Sequence, residues 1–203
     1  MTTVITKLRG RPRIFDMDDA LNKALQVFWK RGYEGTSIAE LTDVLGINKP
    51  SLYAAFGNKE ELFKKALGSY ASGPVAFVME VVNEPTARKV AESFLEKAAE
   101  ALTSSNNHKG CMIVQGALSC GEEAEGVRET LIKFRKGYED LLAKRFEKAK
   151  QEGDLPDSVV TKDLAKFLAI LHQGMSVQAT SGATKEDLLA VSNLALKNWP
   201  TSS

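Results

Sequence analysis

The sequence predicts an all-α fold, and three observations carry that reading. Apolar residues recur at three- and four-residue spacing along most of the chain. No stretch alternates with a period of two. Capping residues and glycines stand where helices of that pattern should start and stop. At 203 residues the chain has room for one or two compact domains with a sizeable core. Its 43% hydrophobic and 26% charged residues are ordinary for a soluble protein.

The elements follow in order. Asp16 is positioned to cap a first helix, with Asp18 and Asp19 in its positive first turn and apolar positions at Ala20, Leu21, Ala24, Leu25, Val27 and Phe28. Gly32 and Gly35 bracket its end. Ser37 and Glu40 have capping-box spacing at the start of "SIAELTDVLG", and Gly46 stops that second helix. Asn48 caps a very short third helix, with Pro50 in its first turn where the missing N–H costs nothing. Asn58 and Glu61 open a fourth helix, "NKEELFKKALGSY". A break is expected near Pro74. Beyond it come an amphipathic helix after Pro85 and a short apolar helix, "GCMIVQGALSCG", between glycines. A long helix over 122–151 and two closing helices, over 161–180 and 184–199, complete the chain.

Charge is unevenly placed. Residues 1–65 hold eleven Lys and Arg against eight Asp and Glu, whereas the remainder holds sixteen against eighteen. A polyanion-binding surface therefore belongs at the N-terminal end. Residues 1–14 form a basic arm in which Arg9, Arg11 and Arg13 alternate with Gly10 and Pro12. Gly and Pro disfavour a helix, and an extended Arg-Gly-Arg-Pro fits the floor of an A·T-rich minor groove. A solvated tail is the plain alternative. No apolar run approaches a membrane span, no signal peptide opens the sequence, and two cysteines make no disulfide framework. A cytoplasmic location without membrane partners follows as the expectation.

The segment "TSIAELTDVLGINKPSLYAAF" has the pattern of a helix-turn-helix. Two short helices flank a glycine turn, with Leu41, Leu45, Ile47, Leu52 and Ala55 at core spacing. The second is too short to be stable alone and must pack on its neighbours. It presents Lys49, Ser51 and Ala54 outward, side chains that suit entry into a major groove. Together with "FWKRGYEGTS", "SLYAAF" and "KEEL", this stretch resembles the DNA-binding domain of TetR/AcrR-type transcriptional regulators over about residues 15–67, which implies such a domain over 15–72. Thr42 departs from the family pattern, where alanine is more usual at a close helix contact. The resemblance implies that Thr36 or Ser37 binds a phosphate at a helix N-terminus. It also implies that Lys49, Pro50 and Ser51 face base edges, while Tyr53 and Lys59 meet the backbone.

Residues 75–203 carry no P-loop, no G-x-S-x-G and no H-E-x-x-H, so neither catalysis nor a metal or other cofactor is expected. The resemblance implies a helical effector-binding and dimerisation domain. Phe94, Met112, Gln115, Phe134, Tyr138, His172 and Met175 are the candidate lining of a small-molecule pocket. On one helix, Cys111 and Cys120 would sit on opposite faces roughly 13 Å apart, too far to bridge. Cys111, at an expected helix N-terminus beside His108 and Lys109, is a candidate redox thiol with thiolate character. Apolar stripes at Leu164, Leu168, Leu171 and Met175, and along the last helix, suggest a four-helix homodimer interface. The expected function is a homodimeric repressor released from operator DNA by a small molecule or electrophile. A nucleoid-type architectural protein, or a helical enzyme with a DNA tether, is the alternative.

Overall fold

The computed structural model describes residues 16–104, 108–118 and 120–201, and every regular element among them is helical. The arginine arm, with Arg9, Arg11 and Arg13, lies outside the described residues. Helix α1 (Met17–Arg31) starts where the Asp16 carboxylate accepts the N–H groups of Asp18 and Asp19, at 3.0 and 3.2 Å. Helix α2 (Ile38–Leu45) is capped by the Ser37 hydroxyl, which accepts from the Glu40 N–H at 3.1 Å. The Glu40 carboxylate does not return to Ser37 but pairs with Arg31 of α1, so only half of the capping box forms. Gly46 takes the left-handed φ of 66° that ends α2 and redirects the chain.

Asn48 then caps α3 (Lys49–Phe56), and Asn58 caps α4 (Lys59–Ser72), each accepting a backbone N–H at 2.9 Å. Beyond the break at Gly73–Pro74 a single turn, α5 (Phe77–Val81), appears that the sequence did not announce. Helix α6 (Ala87–Thr103) starts at a Thr86 cap. Helix α7 spans only Met112–Gln115, and a 3₁₀ turn at Glu122–Ala124 leads into α8 (Glu125–Gln151). Helices α9 (Thr161–Thr180) and α10 (Lys185–Leu196) close the fold, the latter through a full capping box between Thr184 and Asp187.

Two expectations change here. The apolar stretch 110–121 is not one helix, because a long-range contact takes over its main chain. The Gly116 carbonyl accepts the Tyr33 N–H of the α1 end at 2.9 Å, and a Cβ on Gly116 would stand 3.3 Å from the Phe63 ring. Cys111 and Cys120 therefore do not share a helix, and the face argument between them lapses; both are free thiols. The closing helix also stops at Leu196, three residues short of Trp199, which turns in against Phe146.

Helices α1 to α4 form the N-terminal body. Phe28 and Phe63 meet edge to face at 5.1 Å, with Leu41, Leu52 and Phe56 buried beside them. Each such ring contributes about 1.5–3 kcal/mol on burial, which holds an α3 that could not persist by itself. Thr42 fits without disruption because its hydroxyl donates to the Ala39 carbonyl at 2.8 Å. The C-terminal body packs α8 on α9, α9 on α6 and α6 on α10, and its core is continuous with the first. The junction is polar as well as apolar. Trp29 Nε1 donates to the Gly110 carbonyl at 3.2 Å, and the Gly121 N–H donates to the Glu34 carboxylate at 3.2 Å. No described helix is long and apolar enough to cross a membrane.

Candidate nucleic-acid interface and ligand cavity

The N-terminal body presents a free reading face. In α3 Leu52 and Phe56 point into the core, which leaves Lys49, Pro50, Ser51, Tyr53 and Ala54 exposed on one surface. Burial of the apolar pair thus decides which side chains can reach a groove. The Lys49 ammonium lies 5.6 Å from the Tyr53 ring centroid, and Tyr53 is 39% exposed. Both are available to a ligand outside the protein.

The flanking residues divide. Ser37 is exposed at the N-terminus of α2, as a phosphate contact requires. Thr36 is not: it is 1% exposed, its hydroxyl donates to the Gly32 carbonyl at 2.7 Å and its N–H donates to Tyr33. Its polar groups are spent on the turn after α1, so of the two candidates only Ser37 can meet a phosphate directly. Lys59 stands in the first turn of α4, but its ammonium rests 4.3 Å over the Tyr33 ring, half-buried. Burial lowers its pKa, partly offset by Glu34.

A half-open cavity of about 640 Å³ lies between α4, α5, α6, α8 and α9. Phe94, Phe134, Tyr138 and His172 line it together. The other three pocket candidates do not. Met112 is buried in the core, Gln115 donates to the Ser176 carbonyl and the Thr180 hydroxyl, and Met175 receives the Ser192 hydroxyl on its sulfur at 3.8 Å. Sequence reasoning missed the wall supplied by Gly68, Ala71, Val75, Phe77 and Val78. It also missed Gly137 and Leu141, which continue the α8 stripe of Phe134 and Tyr138 at helical spacing and could have been read from it.

Polar chemistry in the cavity is sparse. Burial pushes the Tyr138 hydroxyl up to about 12 and the His172 imidazole down to about 4, so both are neutral near pH 7. His172 packs edge-on against Phe94 and Tyr138, and its Nδ1 has no hydrogen-bond partner among the described residues. Cys111 also lines the cavity, with its N–H donating to the Ser176 hydroxyl at 2.9 Å. Burial works against the expected thiolate character. Desolvation raises the Cys111 pKa, outweighing the Tyr70 hydroxyl and the neighbouring N–H groups that lower it. Among the described residues no cluster of three or more His, Cys, Asp and Glu is placed to hold a metal.

The far surface of the C-terminal body carries an apolar face. Phe167, Ile170 and Val177 of α9, with Val191 and Leu194 of α10, are exposed there. A cleft between the two helices ends at Trp199, whose buried Nε1 has no partner among the described residues. The stripe expected from sequence divides: Leu168 is fully buried and Met175 nearly so, whereas the half-buried Leu164 lines this cleft beside Val191 and Leu194.

A helix-turn-helix with a free reading face, mounted on a helical body, defines a DNA-binding transcriptional regulator. Residues 20–66 match the family described as bacterial regulatory proteins, tetR family, and residues 89–188 match the tetracyclin repressor-like, C-terminal domain. The HTH-type transcriptional repressor ComR of Escherichia coli K12 is 33% identical over 98% of this chain and 96% of its own length. BdcR of the same organism, also an HTH-type transcriptional repressor, is 29% identical over 94% and 92%. A cysteine mutant of the TetR family regulator CifR, complexed with a 26-bp double-strand operator, matches with a TM-score of 0.89 at 41% identity. That alignment covers 94% of this chain and 100% of the other. The chain belongs to the tetR family of bacterial regulatory proteins.

Proposed function

We propose that the chain is a cytoplasmic, homodimeric repressor that leaves its operator when a small molecule fills the cavity between α4 and α8. One observation carries the reading. Segment 110–121 supplies Cys111 and Ile113 to the cavity wall and, a few residues away, holds the end of α1 through Gly110, Gly116 and Gly121. A change in the wall is thereby felt at the reading head. Ser37, Lys49, Pro50, Ser51, Tyr53 and Lys59, with the arm residues Arg9, Arg11 and Arg13, are the assigned DNA contacts. Phe167, Ile170, Val177, Val191 and Leu194 are the assigned dimer face. In a dimer the two α3 helices must stand about 34–36 Å apart to enter successive major grooves. A ligand preferring another spacing draws the population off DNA by its differential affinity. The repressor names of the relatives favour repression over activation.

Footprinting on the DNA flanking the chain's own gene tests this directly. A protected, twofold-related site whose protection disappears with a cavity ligand is expected. Uniform coating without sequence preference would mean an architectural protein instead.

A further inference from the structure

Two polar side chains in the cavity wall keep hydrogen-bonding capacity that no described residue uses. Gln173 Nε2 donates to the Tyr138 hydroxyl at 3.3 Å, which leaves the Tyr138 proton with no acceptor among the described residues. His172 is 94% buried and lines the same space; its Nδ1 is sealed and unpartnered, and no described residue bonds its Nε2. Unused hydrogen-bonding capacity on the wall of a ligand-sized space points to a partner from outside. The two rings stand 5.8 Å apart, close enough for one small group to reach both. Around them the wall is aromatic and aliphatic: Phe77, Phe94, Phe134, Val78 and Leu141. Among the described lining residues Lys133 is the sole cation, and it is exposed; the nearby Arg135 guanidinium is engaged on the Ile113 carbonyl at 2.7 Å.

We propose that the cavity ligand is a neutral, largely apolar molecule bearing one hydroxyl group, a phenol or an alcohol, bound between Tyr138 and His172. A hydroxyl is the group that complements both at once. It accepts the Tyr138 proton and exchanges a second hydrogen bond with the imidazole. A carbonyl meets Tyr138 but can bond the imidazole only in the tautomer that turns an N–H towards it, whereas a hydroxyl serves either tautomer. A carboxylate only accepts, and it would bring a buried charge to a site whose imidazole stays neutral and whose one ammonium faces solvent. The inference rests on the cavity being the effector site, and the experiment separates the two.

The purified full chain is titrated by calorimetry with 2-naphthol, naphthalene and 2-naphthoate, which share a ring system and differ in the polar group. Naphthol should bind at least tenfold more tightly than either comparator. Tyr138→Phe should reduce that preference several-fold. Tyr138→Phe with His172→Leu should abolish it while leaving naphthalene affinity in place. Naphthoate binding as tightly as naphthol, or a preference that survives the double substitution, overturns the proposal; so does the absence of any binding. Operator release is read separately by fluorescence anisotropy. Selective naphthol binding that leaves the operator complex intact supports the ligand chemistry and refutes the effector role.

Discussion

Leu194→Glu should split the proposed dimer without unfolding the chain. Leu194 is 63% exposed on α10, in the middle of the apolar face it shares with Val191 and the α9 residues Phe167 and Ile170. Burying a leucine contributes about 1.5–3 kcal/mol, so covering the exposed part of this one is worth about 1–2 kcal/mol per copy. Twofold symmetry repeats each substitution across the interface, which doubles the loss to about 2–4 kcal/mol. At about 1.4 kcal/mol per factor of ten, the dimer dissociation constant should rise roughly 30- to 1000-fold. Two glutamates placed in an apolar contact add to that. Sedimentation velocity over a dilution series reads the constant, and circular dichroism reads the fold. A folded Leu194→Glu chain that stays dimeric at nanomolar concentration would refute the assignment of this face. Leu168 is the control from the other side of α9. It is fully buried, so Leu168→Ala should cost about 2–5 kcal/mol of folding stability and shift the urea midpoint.

Further outcomes are expected from the same physics. Lys49→Ala should weaken specific operator binding by about 1–3 kcal/mol and alter preference at one base pair per half-site, as read by selection on randomised operators. An equal loss on all sequences would make Lys49 a backbone contact. Thr36→Val should destabilise the fold by about 1 kcal/mol through the lost bond to Gly32 while leaving the salt slope of DNA binding unchanged. For His172, a folded pKa of about 4 against an ordinary 6.5 means that the unfolded chain binds the proton more readily. Its contribution is complete above pH 6.5 and is lost as pH falls through 6.5 towards 4, amounting to about 2 kcal/mol by pH 5. Denaturant melts at pH 7.5 and 5 should show that loss, and His172→Leu should remove it. Cys111 should resist a short alkylation pulse in the native protein, because its thiol is buried and its pKa raised, and should react once the chain is denatured. Rapid native labelling would restore the redox role.

What was legible in the sequence was local. Asp16, Ser37, Asn48 and Asn58 cap helices because each needs only a backbone N–H two or three residues ahead. The outward set on α3 was legible for the same reason, since Leu52 and Phe56 lie four apart and fix the inward side. Features decided by distant contacts were not. The stretch after Cys111 has a helical pattern, yet Tyr33 captures the Gly116 carbonyl from 83 residues away and the helix stops. Helix α9 is apolar on two sides, and periodicity alone does not rank a stripe through Leu168 and Met175 above one through Phe167, Ile170 and Val177. The pocket was half-read for a similar reason: its α8 wall follows a period, whereas its α4–α5 wall depends on how the chain folds back after Gly73–Pro74.

The short segment from Gly110 to Gly121 belongs to two structures at once, the wall of the cavity and the socket of α1. Thermodynamic linkage makes that sharing symmetric. If filling the cavity weakens the operator complex by some factor, the operator must weaken ligand binding by the same factor. The DNA site is then an effector of the cavity as much as the reverse. A regulator seated on a tight operator would answer only to a higher ligand concentration than one seated on a loose operator. Two promoters read by the same protein could thus respond at different doses, with the difference written in the bases rather than in the protein.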